Sequence, residues 1–428
     1  MNIKAILAAN GRDVRLELFL GIANWFIFLD HIPNNVVSWI TIRNYGFSGA
    51  ADLFIFISGY IAAIVYARMT LERGFVVAAT RIFKRVWQLY VAYVVLFAVY
   101  TVTIGDVAAR YAAPDIIYEF NVAGLVDHPI RTVGHGLLLQ TRALNLDVLP
   151  LYIVLMATLL PVLWMMLRKP DLTMAGSLAL YLAARQFEWN LPSFPDGSWY
   201  FNPFCWQLLF VFGAWLALGG AEAFSSESLP RTRSGLETGS PQENASSQES
   251  RAPFRFYRNG KGFSERRSIQ KSRIPVYFGI AYLAFALVMT MAGRFPAFGK
   301  MFPTWLFDAF NPNDKTNLAP YRVLHFIVMA YVVTRFVPKD WRGLEWQIFK
   351  PIITCGQQSL AAFCVGVLLS FVGHFALMTS SGSLLAQLFV SAAGVAIMTL
   401  VATYISWSKQ QDDPHHDPHH LASADAHS

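Results

Sequence analysis

The sequence predicts an all-α polytopic membrane protein with about ten transmembrane helices, and three observations carry that reading. Only 14% of its 428 residues are charged, while 55% are hydrophobic; soluble domains carry roughly 25% charged residues. The apolar residues are grouped into runs of about 20, the length that crosses a hydrocarbon core. Lys and Arg gather in particular gaps between those runs, which is how a spanning chain records its orientation.

Taken in order, the candidate spans lie at 16–34, 48–67, 83–105, 147–167, 173–189, 203–219, 275–293, 319–337, 354–377 and 383–407. The fourth to sixth are short or interrupted by proline. Between the third and fourth, residues 106–146 hold Pro114, Pro129 and mixed charge and are too polar to span. A folded loop with short interfacial helices, such as 131–140, is expected there. With the amino terminus in the cytoplasm, the inside segments are 1–15, 68–85, 168–172, 220–274, 335–350 and 408–428. They hold 25 of the 34 Lys and Arg residues, and the outside segments hold 9. That bias places both termini in the cytoplasm and requires an even number of spans. Lys4, Arg12 and Arg15 before the first apolar run resemble a signal peptide. No small-residue cleavage site follows, and Asp30-His31 stands where one would fall, so an uncleaved first helix is expected.

Residues 220–274 contain 11 serines, 10 Lys or Arg and 6 Glu, with no apolar periodicity before 274. Such a stretch cannot bury enough surface to order itself and reads as a disordered cytoplasmic linker. The expected organisation is therefore a cytoplasmic segment 1–15, six helices in 16–219, the linker 220–274, four helices in 275–407, and a disordered His-rich tail 408–428. On the cytoplasmic side, the sequon Asn244-Ala245-Ser246 never meets the glycosylation machinery. The tail histidines His415, His416, His419 and His420 suggest a solvated segment rather than a metal site. Cys205, Cys355 and Cys364 all sit in apolar runs without CxxC spacing, as buried thiols do, and no metal is expected. The net charge of +7 follows topology and forms no aromatic-interleaved basic face, so no nucleic acid is expected as a partner.

Polar groups within membrane segments are costly and mark candidate sites. The first span ends in Asp30-His31-Ile32-Pro33. His31 has the residue type of a general base at neutral pH, and equally of a packed interfacial histidine. Asp30 lies about 100° from it around a helix, a position that makes it no obligatory partner. Asp52 opens the second span, and Ser58-Gly59 at its middle suits close helix packing better than a nucleophilic serine, since no base lies nearby in sequence.

Several stretches together carry a family likeness. These are Arg15 to Ala23 followed by Asp30-His31-Ile32-Pro33, Thr41 to Ser48, Asp52-Leu53-Phe54 through Ser58-Gly59-Tyr60, and Asp147 to Tyr152. Further on come Asn202 to Gln207, Asp314 to Leu318 with Arg322 and His325, Gln358-Ser359-Leu360, and Ser370 to His374. In this order they resemble the OpgC family of membrane acyltransferases, related to the acyltransferase-3 group, over residues 12 to 378 without the linker. The resemblance implies an acyltransferase-3-like bundle in the bacterial inner membrane. It implies transfer of a succinyl or related acyl group from cytoplasmic acyl-CoA, most simply succinyl-CoA, to periplasmic glucan. No permanently bound cofactor is implied, and the partners are membrane lipids, the acyl-CoA and the glucan. The family's essential histidine maps onto His31. Its arginine before the helix-one glycine is absent, because this chain has Leu20, and Arg15 lies about 160° from His31 around the helix.

On that reading His31, Asp30 and Arg43 form the catalytic set. Asn44, Asp52, Asn202, Trp206, Gln207, Lys315, Arg322 and His325 are candidates for substrate binding. Arg322 and His325, three apart on one helix face, would hold a succinyl carboxylate, with a structural ion pair such as Asp52–Lys315 as the plain alternative. The basic stretch with Arg81, Lys84 and Arg85 would hold the donor nucleotide or simply set topology. Two rival functions remain: acetyl transfer to a surface polysaccharide, and transport of a sugar or lipid. The second is disfavoured by the lack of repeat symmetry between the six-helix and four-helix portions.

Overall fold

The computed structural model describes residues 7, 13–110, 121, 124, 128–141, 145–220, 274–339, 341–380 and 382–411. Among these residues the chain is helical, and its only β pairing is two isolated bridges, Thr141 with Phe194 and Pro192 with Ser198. The first part comprises α1 (Val14–Asp30), α2 (Ala50–Arg73), α3 (Phe75–Arg110), the short α4 (Pro129–Leu137), α5 (Val148–Arg168), α6 (Pro170–Gln186) and α7 (Pro203–Ala217). The second comprises α8 (Ile274–Arg294), the short α9 (Pro296–Gly299) and α10 (Thr304–Phe310), α11 (Pro320–Phe336), α12 (Lys350–Gln357), α13 (Ser359–Thr379) and α14 (Leu384–Gln411).

Each expected span falls on a helix. Six helices are long and apolar enough to cross a membrane: α2, α3, α5, α8, α13 and α14. The spans expected at 16–34, 173–189, 203–219 and 319–337 are the shorter helices α1, α6, α7 and α11, of 15 to 17 residues. Proline fixes the start of three of them, Pro170, Pro203 and Pro320, where a missing N–H costs nothing. The span expected at 354–377 divides at Gln358 into α12 and α13. The interfacial helix expected near 131–140 is α4. The expected linker and tail lie almost wholly outside the described residues.

Successive long helices alternate in direction, so their connections collect at two ends. At one end, Asn35 Nδ2 donates to Ser391 Oγ (3.0 Å), Asn202 N to Thr316 O (3.1 Å) and Arg322 Nη1 to the Phe47 carbonyl (2.6 Å). At the other, Arg15 Nη1 donates to Val337 O (2.6 Å), Gln357 Nε2 to Glu17 Oε2 (2.7 Å) and Lys409 Nζ to Gln358 Oε1 (2.7 Å). Two glycine pairs bring backbones together between these ends. On α2 and α7, a Cβ at Gly59 would strike the Phe210 carbonyl, and one at Gly213 the Phe56 carbonyl. On α1 and α12, Gly21 and Gly356 meet the carbonyls of Ile352 and Glu17 in the same way. Small residues at helix contacts are the membrane solution to packing, because lipid gives apolar side chains little reason to leave it. Helix α1 is therefore held by α2 on one side and by α12, α13 and α14, from the far end of the chain, on the other.

Candidate active site

At the end where α1 finishes, the loops enclose a cavity of about 480 Å³. His31 stands on its wall. It is the C-terminal cap of α1, with its N–H bonded to Ile27 O (3.1 Å) and its carbonyl accepting from Asn145 Nδ2 (3.4 Å). The imidazole Nδ1 is buried without a hydrogen-bond partner among the described residues. Asp30 does not orient that ring. It accepts from Thr41 Oγ1 (2.7 Å) and pairs with Arg43 Nε (3.2 Å), so it anchors the tight turn Ile42–Asn44 that carries Arg43. Arg43 remains 45% exposed at the cavity wall. Asn44 is 1% exposed and donates to Ser38 O (2.6 Å) and Thr41 Oγ1 (3.2 Å), an arrangement internal to the same turn.

The buried ion pair of the site is Asp52 with Arg322. Arg322 Nε donates to Asp52 Oδ1 (2.9 Å), Nη2 to Oδ2, and Nη1 to the Phe47 carbonyl. Asp52 also accepts from Gly49 N (2.8 Å), which caps α2. Both of its oxygens are thus saturated, as a carboxylate at 0% exposure requires. His325, one turn along α11, holds Ser48 Oγ at 2.6 Å. Arg322 and His325 share a helix face as expected, but both are engaged in fastening residues 47–52 to α11.

Asn202, Trp206 and Gln207 occupy a neighbouring layer. Asn202 Nδ2 donates to Trp189 O (2.6 Å) and Asn317 Oδ1 (3.0 Å), and Trp206 Nε1 donates to Lys315 O (3.0 Å). Gln207 exchanges hydrogen bonds with Ser177 on α6. Asn202 and Trp206 are both 0% exposed, so neither presents a face to a sugar. Their effect is to fix the loop 311–319. Arg185 completes that support, donating to Asp314 Oδ2 (3.2 Å) and Asn317 O (2.9 Å).

That loop delivers Lys315 to the cavity wall, where its ammonium lies 4.9 Å from the Phe201 ring and 5.3 Å from the Tyr200 ring. Burial, and then the neighbouring Arg322 charge, push the Lys315 amine down to about 8. Across the cavity, Arg294 ends α8 with its guanidinium 5.0 Å from the Trp39 ring. Thr290, one turn earlier on the same face, points a buried hydroxyl that has no partner among the described residues. Arg294, Thr290 and Ser48 escape sequence reasoning. The one available signal is an arginine four residues beyond a threonine at the end of a span.

A second cavity, of about 630 Å³, opens toward the opposite end between α1, α2, α3, α5, α12, α13 and α14. Leu20 lines it, as do Ser58, Gln358 and Ser359, with Arg85 and Lys409 contributing positive charge. Of the basic candidates on α3, Arg85 reaches this cavity, while Arg81 and Lys84 are exposed on the helix surface. The two cavities nearly meet. Ala51 and Val148 line the first; Phe54, one turn along α2, and Leu149, next in α5, line the second.

Fold and site together define a helical membrane protein with an electropositive cavity built around a histidine. A family model described as OpgC protein matches residues 12–234 and 259–410, so the chain belongs to the OpgC family. With that membership goes a membrane acyltransferase type of function. No curated protein and no solved structure matches the chain.

Proposed function

We propose that this protein is a ten-span O-acyltransferase of the bacterial inner membrane that moves a succinyl group from cytoplasmic succinyl-CoA to hydroxyls of periplasmic glucan. Both termini lie in the cytoplasm, the His31 cavity opens to the periplasm, and the second cavity admits the donor. One observation carries this reading: His31 lines a cavity whose floor is about one side-chain layer from a second cavity entered from the other end. A thioester advancing past Leu20, Phe54 and Leu149 would bring its carbonyl to a sugar hydroxyl arriving from outside. Arg85 and Lys409 attract the phosphates of the donor at the inner mouth, which offers a substitute for the positive charge missing at Leu20.

The chemistry balances without a covalent intermediate. His31 accepts the proton of the sugar hydroxyl as the oxygen bonds to the thioester carbon. Arg43, half of whose side chain is open to the cavity, stabilises the oxyanion. The C–S bond then breaks, and the departing thiolate takes the proton back from the imidazolium, giving the ester and free CoA thiol. Purified protein incubated with succinyl-CoA and glucan is expected to release CoA and add the mass of succinyl groups to the glucan. His31→Ala should lower this rate by about 10² to 10⁴-fold with unchanged membrane insertion. Wild-type succinylation in that variant would overturn the role of His31, and acylation of the glucan from acetyl-CoA but not from succinyl-CoA would move the reading to an acetyltransferase. Substrate passage without thioester consumption would favour a transporter.

A further inference from the structure

Four cations line the His31 cavity: Arg43, Arg294, Lys315 and Arg322. Two are neutralised, Arg43 by Asp30 and Arg322 by Asp52. Neither Arg294 nor Lys315 has a carboxylate within ion-pair distance among the described residues; each instead lies near aromatic rings. An uncompensated charge in a partly closed site is expensive, so Lys315, partly buried and carried by a braced loop, implies an anion that completes the site. The exposed Arg294 on the wall of the same cavity adds a second charge open to it. The lone hydroxyl of Thr290 shares the helix face of Arg294 and adds a neutral donor to the same wall.

Building on the acyltransferase reading, we infer that Lys315 and Arg294, with Thr290, form a carboxylate clamp that makes the enzyme specific for dicarboxylic acyl groups. The clamp takes the distal carboxylate of the acyl chain while the thioester end faces His31. Phe201 and Tyr200 flank the intervening methylenes. Lys315 is the specificity-determining residue, because Trp206 and Asn202 hold its loop from behind and leave its ammonium to the cavity.

The test compares succinyl-CoA with butyryl-CoA, a donor of equal chain length without the charge, on an uncharged β-glucan. Wild type is expected to prefer succinyl-CoA in kcat/KM. Since a hydrogen bond to a charged group contributes about 1.5–3 kcal/mol, Lys315→Met should lower that preference roughly 10- to 100-fold. Arg294→Gln should lower it in the same direction, and Lys315→Arg should restore it. A pH series gives a second readout. Lys315 is faced by Arg322 of α11, Asp52 of α2, Asp30 and His31 at the end of α1 and Arg43 of the connecting turn, and its charge fades as pH rises through about 8. The KM for succinyl-CoA, though not for butyryl-CoA, should therefore rise between about pH 7 and about pH 9 in wild type and stay flat in Lys315→Arg. Equal use of both donors by wild type overturns the clamp but leaves the transferase standing. So does an equal loss with both donors in Lys315→Met, or a loss seen only with an anionic glucan, which would assign the cations to the acceptor. Failure of wild type with every acyl-CoA removes both readings.

Discussion

Arg322 and Asp52 stand 270 residues apart and meet inside the wall of the site, where each satisfies a charge that water cannot reach. Removing one partner strands the other. Asp52→Ala is expected to destabilise the protein by about 3–5 kcal/mol, seen as a lowered midpoint of thermal unfolding in detergent. The paired change Asp52→Leu with Arg322→Met should recover much of that stability. The sequence made both residues visible as charges near the ends of spans, but not their pairing, since nothing in the spacing joins positions on opposite sides of residues 221–273. The same gap explains why Arg322 and His325 read as a ligand clamp: three-residue spacing reveals a shared face and conceals that the face is occupied. Asn202 and Trp206 were legible as unusual polar and aromatic residues at the start of a helix. Their burial depends on the loop 311–319, which only the folded chain brings to them. Lys315 was legible only as a cation beside Asp314 in the loop before the eighth span, and the sequence does not show that Asp314 turns to Arg185 instead.

Among the elements, the long apolar helices were readable from periodicity and length alone, and the proline-started helices were not readable to their ends. Pro170 starts α6 ahead of the span expected at 173–189, while Pro203 and Pro320 start α7 and α11 at or just inside the spans expected at 203–219 and 319–337. All three helices end before the expected end, at Gln186, Ala217 and Phe336. Packing glycines give the sharpest element-scale expectations. Gly59→Ala puts a methyl group against the Phe210 backbone and should cost about 1–3 kcal/mol by forcing α2 away from α7. Gly105→Ala on the exposed side of α3 meets nothing within 4 Å. There alanine should be neutral or stabilise by up to about 1 kcal/mol, its helix advantage over glycine. Thermal unfolding of the two variants side by side distinguishes contact from propensity.

Across the whole molecule, the alternation of helix direction gathers the candidate site at one end and the second cavity toward the other. That arrangement matters only if a membrane separates them with the expected orientation. In a background with Cys205, Cys355 and Cys364 replaced by alanine, Ile40→Cys should react with an impermeant thiol reagent on intact spheroplasts. Ser240→Cys should react only after lysis. The reverse pattern would invert the topology and place the histidine cavity with the donor.

Helix α1 carries His31 at its end, yet three of the helices that grip it, α12 to α14, leave the ribosome long after it. Helix α1 must therefore wait in the bilayer, partly unclasped, until those helices are made. A chain ended after α11 is expected to insert and then to be cleared by membrane proteases, as an orphan whose first span never found its neighbours.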